Sequence, residues 1–203
     1  MRVLLAAVGL LLLSQELPPP YPRAGTTKML ENDRVVVWDI SWLRQAYPLH
    51  RHPHDMTGVY YQSGERIIIS PEGERRHTST QAWNITFQRA GLTHSEAGAS
   101  DVPLRSVFIE MKEPPSGTAS AAGAQVAFPV GSPSQRLDND RVTVWEYGAP
   151  DAGAQGTHRH LHESVVVSFD AAGRPQASYI DRGTVHETDV PLGSTRTFVF
   201  ELK

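Results

Sequence analysis

The chain has 203 residues, of which 39% are hydrophobic and 20% charged, and its formal net charge is −3 at pH 7. A chain of this length can bury one large core or two small ones. The slightly acidic charge, without any run of Lys and Arg interleaved with aromatic residues, argues against a nucleic-acid partner. The chain contains no cysteine, which excludes thiolate zinc sites and disulfide frameworks, so any bound metal must use nitrogen and oxygen ligands.

The N-terminal segment has the pattern of an export signal. Arg2 precedes an almost wholly apolar run, Val3 to Leu13, which has signal-peptide length and is too short to span a bilayer comfortably. A polar break and a proline run at 18–20 follow it, and they disfavour the alternative of an N-terminal helix packed on the protein. We therefore expect a signal peptide and Pro-rich arm at 1–25, a folded part that begins near Thr26, no membrane span in the mature chain, and a periplasmic or extracellular location.

The rest of the chain presents one motif twice. The segment Glu31 to Trp38 (ENDRVVVW) reappears as Asp138 to Trp145 (DNDRVTVW). Each copy leads into a histidine cluster, then into a later Gly-x-x-His, and closes on an apolar strand that ends in lysine. A repeat longer than a solenoid unit and present only twice indicates two tandem domains of one fold.

The secondary-structure pattern is all-β. Short runs of β-branched and aromatic residues alternate with turn residues, and no segment keeps a helical period, so we predict sandwiches or barrels. We place the first domain at 26–113, a linker rich in Pro, Gly, Ala and Ser at 114–134, and the second domain at 135–203. The predicted strands are Arg34 to Asp39, Thr57 to Tyr61, Arg66 to Ile69, Ala82 to Phe87, Ser106 to Glu110, Val142 to Tyr147, Ser164 to Phe169, Gln176 to Ile180 and Thr197 to Glu201, with a further short one at Val126 to Val130.

The histidines suggest metal binding. Each copy has three histidines at alternate positions, which share one face of an extended strand, and a fourth histidine further along the chain. Two imidazoles at i and i+2 lie close enough to bind one ion, and a third from another strand completes a set with open positions. Any one histidine alone is better explained as an ordinary surface or core residue, but matched places in both copies favour ligation. The two sets are His50, His52, His54 with His94, and His158, His160, His162 with His186.

These residues resemble the two motifs of the cupins, whose fold is a small double-stranded β-helix barrel, and two such barrels in tandem resemble a bicupin. The resemblance is carried by the His-x-His pair, the turn at Ser63-Gly64 and the later Gly-x-x-His, and it covers Met29 to Lys112 and Leu137 to Lys203. It implies metal ligands at His50, His52 and His94 in the first copy, and at His158, His160 and His186 in the second.

The sequence departs from the cupin pattern at two places. The glutamate that usually follows the His-x-His pair is missing, because Met56 or Thr57 occupies its position in the first copy and Ser164 or Val165 in the second. The proline of the second motif is replaced by Arg89 and Asp181. Three neutral imidazoles leave a divalent ion with its full charge and exchangeable positions, which favours an anionic, chelating ligand and suits Fe, Ni, Mn, Cu or Zn.

Further ligands are available next to each pair. Water, or His54 and His162, which have the correct strand parity, could complete each set. Asp55 and Glu163 lie one residue out of phase and would need a bulge to turn inward. Each acid is equally well explained as a solvated residue or as a partner that orients an imidazole.

Two classes of function follow from the resemblance. One is a metal-dependent enzyme acting on a small anionic or enolic substrate, either a three-histidine dioxygenase or an isomerase or decarboxylase. The other is a non-catalytic domain that holds a metal or small ligand or serves as a homodimerisation scaffold. We expect the first copy to carry any activity, because it has 41 residues between its His-x-His pair and the later histidine against 25 in the second, and the extra loop, Pro71 to Gln81, is available to cover a pocket. The sequence identifies no catalytic base.

Overall fold

The computed structural model describes residues 16–112, 126–149 and 155–203. Within these ranges the regular elements are β-strands, as predicted. The part of the chain that is described contains no helix long and apolar enough to cross a membrane. The predicted export signal, up to residue 15, and most of the predicted linker lie outside the described residues.

The first domain consists of two sheets that face each other. One sheet has the strand order β1-β2-β9-β4-β7 and the other has the order β3-β8-β5-β6. The strands are β1 (Thr26–Glu31), β2 (Val35–Trp42), β3 (Ala46–Arg51), β4 (Asp55–Gln62), β5 (Gly64–Ile69), β6 (Arg75–Thr80), β7 (Ile85–Gln88), β8 (Thr93–Gly98) and β9 (Leu104–Met111).

The second domain repeats this plan with a smaller second sheet. Its larger sheet has the order β11-β12-β17-β14-β15, and its smaller sheet has the order β10-β13-β16. The β5–β6 hairpin of the first domain has no counterpart among the described strands of the second. These strands are β10 (Val126–Ala127), β11 (Ser134–Asp138), β12 (Val142–Gly148), β13 (His158–Arg159), β14 (Glu163–Phe169), β15 (Pro175–Ile180), β16 (Val185–His186) and β17 (Arg196–Leu202).

The repeated Asn-Asp-Arg motif forms the turn that opens each barrel. The Asn32 side-chain oxygen accepts hydrogen bonds from the backbone N–H groups of Arg34 (2.8 Å) and Val35 (2.9 Å). Asn139 does the same for Arg141 and Val142 at 2.8 and 2.9 Å. An asparagine that bonds the backbone two and three residues ahead stabilises a tight turn, so this part of the repeat is structural.

Parts of the expected N-terminal arm and of the expected linker pack against the two domains. Tyr21 is buried at 6% exposure, and the Arg51 N–H donates to the Pro18 carbonyl at 3.0 Å, so residues upstream of Thr26 pack against the first domain. Phe128, which we had placed in the linker, is buried against Tyr147 in the second domain.

The largest hydrophobic cluster belongs to both domains at once. Valines at alternate positions of β2, including Val35 and Val37, pack in one cluster with Val144 of β12 and Phe200 of β17. Because alternate side chains of a strand share one face, one face of each five-stranded sheet packs against the other domain. The two domains share this interface, and the histidines lie on the opposite side of each large sheet.

Candidate metal centres

The histidines of each domain meet across one pair of strands. His50 of β3 lies directly opposite His94 of β8 in the antiparallel register. His158 of β13 lies opposite His186 of β16 in the same way. Side chains directly opposite on one face have Cβ atoms about 5 Å apart, so the pairing alone places two imidazoles together in each domain.

A glycine turn positions the second histidine of each pair. The Gly91 N–H donates to the His52 carbonyl at 2.8 Å, and the Gly183 N–H donates to the His160 carbonyl at the same distance. Both glycines adopt positive φ angles, 90° and 86°, which residues with a side chain disfavour. The Gly-x-x-His frame is therefore the turn that holds the third histidine beside the first two.

The first centre consists of His50, His52 and His94. These side chains are 2%, 3% and 6% exposed, and their ligand atoms lie within 4.8 Å of one another. His50 Nδ1 donates to the Pro48 carbonyl at 2.9 Å, which leaves the lone pair on Nε2. Neither His50 Nε2 nor either ring nitrogen of His52 has a hydrogen-bond partner in the structure. Buried polar atoms without a partner are costly, and a divalent ion among the three rings would satisfy His50 Nε2 and one of the two His52 nitrogens.

The environment keeps these imidazoles neutral. Burial lowers the pKa of His52 to about 3, and the neighbouring His94 and His50 add to the effect. Burial also lowers the pKa of His94 to about 4, although Glu96 opposes the shift. The pKa of His50 is lowered as well, again mainly by burial. Because metal binding needs unprotonated imidazole, all three rings are in the ligating form at neutral pH.

Glu96 is a buried carboxylate beside the first centre that the sequence analysis missed. It is 3% exposed, and one of its oxygens lies 3.9 Å from His94 Nε2. Arg23 contacts it at 2.7 Å and Arg66 at 3.1 Å. Burial would raise the pKa of Glu96, but the two guanidinium groups outweigh burial and leave it lowered. A position two residues after His94 shares its strand face, which is the signal that could have identified Glu96.

The second centre adds an aspartate to its three histidines. The ligand atoms of His158, His160, His186 and Asp189 lie within 4.8 Å of one another. Asp189 contacts the Nε2 atoms of all three rings, at 2.9 Å for His158 and His160 and at 2.8 Å for His186. The side chains of His158, His160 and Asp189 are fully buried, whereas that of His186 is 27% exposed. We missed Asp189 because β16 ends at His186, so strand parity does not apply to it.

The contacts of the second centre fit a bound cation. His158 Nδ1 lies 2.8 Å from the Gly156 carbonyl, which can only accept, so this nitrogen carries the proton of a neutral ring and Nε2 faces Asp189 with a lone pair. His160 Nε2 and His186 Nε2 also lie 3.1 Å apart. Two ligand atoms bonded to one ion at about 2.1 Å and at about a right angle lie about 3 Å apart. The donor set therefore fits a divalent ion, with added protons as the alternative.

The other expected ligands lie elsewhere. His54 and His162 belong to neither cluster among the described residues. The reason is that β3 ends at Arg51, so the alternation of the strand does not continue to a third histidine. Asp55 and Glu163 lie at the domain interface, where Arg141 contacts Asp55 at 2.7 Å and Arg34 contacts Glu163 at 2.8 Å.

A cavity of about 440 Å³ reaches the first centre. His94 and Arg66 line it, together with Ser70 and residues 74–76 around the β5–β6 turn and residues 86–88 of β7. The extra loop of the first copy, Pro71 to Gln81, therefore supplies part of this wall. A separate depression of about 480 Å³ lies beside Trp83, Arg136 and Arg196, and none of the clustered histidines lines it.

Comparison with known proteins identifies the family. No family model matches the chain. The chain is 32% identical over 90 residues to the beta-alanine degradation protein BauB of Pseudomonas aeruginosa, an alignment that covers 44% of this chain and 92% of BauB. Its fold is similar to that of AerE from Microcystis aeruginosa, with a TM-score of 0.58, 10% identity, and coverage of 94% of this chain and 100% of AerE.

A third similarity extends over both domains. The cupin 2 conserved barrel domain protein from Leptotrichia buccalis aligns with a TM-score of 0.49 and 11% identity over 88% of each chain. Each half of the chain has the strand plan and histidine placement described above, and each could hold a metal ion. The chain belongs to the same family as BauB, and its two tandem all-β domains with paired histidines agree with the predicted two-domain cupin fold.

Proposed function

We propose that this chain is a metal-dependent cupin enzyme whose first centre holds a divalent ion and presents it to a small anionic or enolic substrate. The observation that carries the proposal is the set of buried, unpartnered imidazole nitrogens of His50 and His52 beside a cavity that His94 lines. The bound ion would supply Lewis-acid polarisation of a substrate oxygen and, if redox-active, the use of dioxygen.

The residues around the first centre would set the orientation of its ligands and the charge of the bound ion. The hydrogen bond from His50 Nδ1 to Pro48 selects the tautomer that points Nε2 into the site. Glu96 contacts Arg23 and Arg66, so its charge is largely neutralised and the first centre keeps the character of three neutral ligands. An ion bound by three neutral ligands would keep its full positive charge and so favour an anionic substrate, whereas a carboxylate ligand would offset part of that charge.

We assign the second centre a metal-holding role. Asp189 provides the negative charge that the first centre lacks, and three of the four side chains are fully buried. Closed sites with a full set of protein ligands are typical of structural metals, whereas catalytic sites keep an open position. This supports the first domain as the working one. A dioxygenase-type reaction is our first candidate there, and isomerisation and decarboxylation are the other reactions open to such an ion.

The name of BauB supports a small substrate. That protein is named for beta-alanine degradation, and beta-alanine is a small molecule with a carboxylate group. We propose substrates of similar size for this chain. Export to the periplasm or outside, and homodimer formation, stay predictions. Because the large sheets already cover each other within one chain, a dimer would have to use other faces.

The test is elemental analysis of untagged protein for Fe, Ni, Mn, Cu and Zn, combined with oxygen uptake in the presence of small enolic and carboxylate substrates. We expect His50→Ala with His52→Ala to abolish turnover, and His158→Ala with His160→Ala to reduce metal content and stability. His77→Ala is the matched control, because that side chain is 56% exposed, pairs with the surface residue Glu65 and belongs to neither histidine cluster of the described residues.

Two results would contradict the proposal. If protein purified from metal-replete cells contains no metal, neither centre is a metal site. A metal-loaded chain that turns over none of these substrates, under aerobic or anaerobic conditions, would favour the alternative of a non-catalytic metal-holding cupin.

A further inference from the structure

We propose that the cavity beside His94 is a recognition pocket for a small carboxylate, with Arg66 and Gln88 as the groups that bind the carboxylate oxygens. This inference rests on the proposed function, because it assigns a substrate class to the first centre. It also has consequences that do not depend on turnover.

Arg66 is held rigidly at the wall of this cavity. Its Nη1 contacts Glu96 at 3.1 Å and its Nη2 donates to the Tyr60 hydroxyl at 2.9 Å. The side chain is 18% exposed, and the N–H of its Nε is buried without an acceptor in the structure. A guanidinium that two partners hold in place and that keeps an unpartnered N–H is preorganised for an oxygen ligand, because little side-chain entropy remains to be lost on binding.

Gln88 provides a second unpartnered donor. It lies on β7, lines the same cavity, and its amide nitrogen Nε2 is buried without a hydrogen-bond acceptor. A buried amide N–H without a partner costs stability unless something else accepts it. Both unsatisfied groups are donors, so the ligand that satisfies them must present acceptors.

The charge of the cavity wall favours an anion. Arg66, Arg75 and Arg76 line it, against the single carboxylate of Glu74. Arg66 also shares Glu96 with a second buried guanidinium, that of Arg23. Positive groups therefore exceed negative ones both at the wall and beneath it.

The size and the remaining lining favour a small organic acid. A volume of about 440 Å³ falls within the usual range of small-molecule sites, roughly 300–1,000 Å³. Ile68, Phe87 and Leu92 also line the cavity and offer apolar contact to a short carbon skeleton. Inorganic phosphate would use the donors but would leave this apolar surface unfilled.

The experiment is calorimetric titration of the full chain with malonate, both zinc-loaded and metal-free, with the uncharged malonamide and inorganic phosphate as comparison ligands. We expect malonate to bind at least about ten-fold more tightly than either. Gln88→Leu and Arg66→Lys should each weaken malonate binding by about ten-fold, the usual worth of a charge-assisted hydrogen bond. Gln176→Leu and Arg44→Lys, at exposed positions outside the cavity, should leave the affinity unchanged.

The outcomes separate this inference from the proposed function. The pocket assignment would be wrong if malonate binding requires zinc but is unchanged in the Gln88→Leu and Arg66→Lys variants, or if phosphate binds more tightly than malonate. Either result would leave the proposal of a metal centre unaffected. Binding by the metal-free protein that depends on both residues would support the pocket even if turnover is never found. If Arg66→Lys fails to fold, the Gln88→Leu variant still tests the pocket, because the amide nitrogen that it removes has no hydrogen-bond partner in the structure.

Discussion

Arg34 of the first domain donates from Nε to Glu163 of the second at 2.8 Å, and Arg141 of the second domain donates to Asp55 of the first at 2.7 Å. Each arginine comes from the repeated Asn-Asp-Arg turn, and each acid follows a histidine cluster. The same two surface elements therefore contact each other twice across the domain interface. Such an arrangement is typical of a two-fold symmetric dimer, but here it lies within a single chain.

The ion pair between Arg141 and Asp55 should contribute to stability. We expect a double-mutant cycle with Arg141→Met and Asp55→Asn to give a coupling of about 1 kcal/mol in urea unfolding, more than a fully exposed pair provides, because these side chains are 17% and 14% exposed. The same cycle on Arg44 and Asp101, which are 70% and 86% exposed, is the control. Equal coupling in the two cycles would mean that the interface pair adds nothing beyond surface electrostatics.

Trp83 should respond unusually to substitution. It has a φ of 68°, and its ring packs on Phe169 and Phe198 of the other domain. Trp83→Ala loses this packing and should cost about 3 kcal/mol. Trp83→Gly loses the same contacts but relieves the left-handed backbone, so it should be less destabilising than alanine by about 0.5–1 kcal/mol. Urea unfolding of the two variants checks this, and a less stable glycine variant would show that backbone strain is unimportant here.

The sequence was sufficient for the features that depend on local rules. Runs of β-branched and aromatic residues predicted the strands that form β2 and β12, and the repeated motifs predicted that His50, His52 and His94 lie close together, as they do in the structure. These parts depend only on residues a few positions apart or on a pattern that occurs twice.

The rest depends on contacts between distant segments. Arg23 reaches Glu96 from an N-terminal segment that we expected to be an arm, and Asp189 joins its histidines only because the chain turns after β16. Asp55 and Glu163 lie next to the histidines in sequence but are drawn to arginines of the other domain. A single sequence does not specify such partners.

The metal-free protein should lose stability in mild acid. The pKa of His52 is about 3 and that of His94 about 4 in the folded chain, against about 6.5 when unfolded. Below about pH 6.5 the unfolded chain binds more protons than the folded one, so the free energy of unfolding falls as the pH is lowered toward about 4. Urea unfolding from pH 7.5 to 4.5 measures this. His52→Leu should flatten the dependence, whereas exposed His77→Ala should not, and identical slopes would contradict the assignment.

Asp189 should determine metal binding by the second centre. Its carboxylate contacts the Nε2 atoms of three histidines, so Asp189→Ala removes both a ligand and the negative charge that offsets the ion. We expect zinc affinity at this centre to fall at least about ten-fold, while the first centre, which has its own three histidines, retains its ion. Glu187→Ala, an exposed acid two residues away, is the matched control.

The measurement is a zinc titration of each variant in a His50→Ala, His52→Ala background, which leaves the second centre as the remaining site. Loss of zinc with Asp189→Ala but not with Glu187→Ala would identify Asp189 as a ligand. Unchanged zinc affinity would instead show that the three histidines bind zinc without Asp189. Absence of zinc binding by both the background and its Asp189→Ala variant would make Asp189 the counter-ion of protonated imidazoles. In that case the wild-type protein should also bind zinc at one centre per chain, because charged imidazoles do not coordinate a metal.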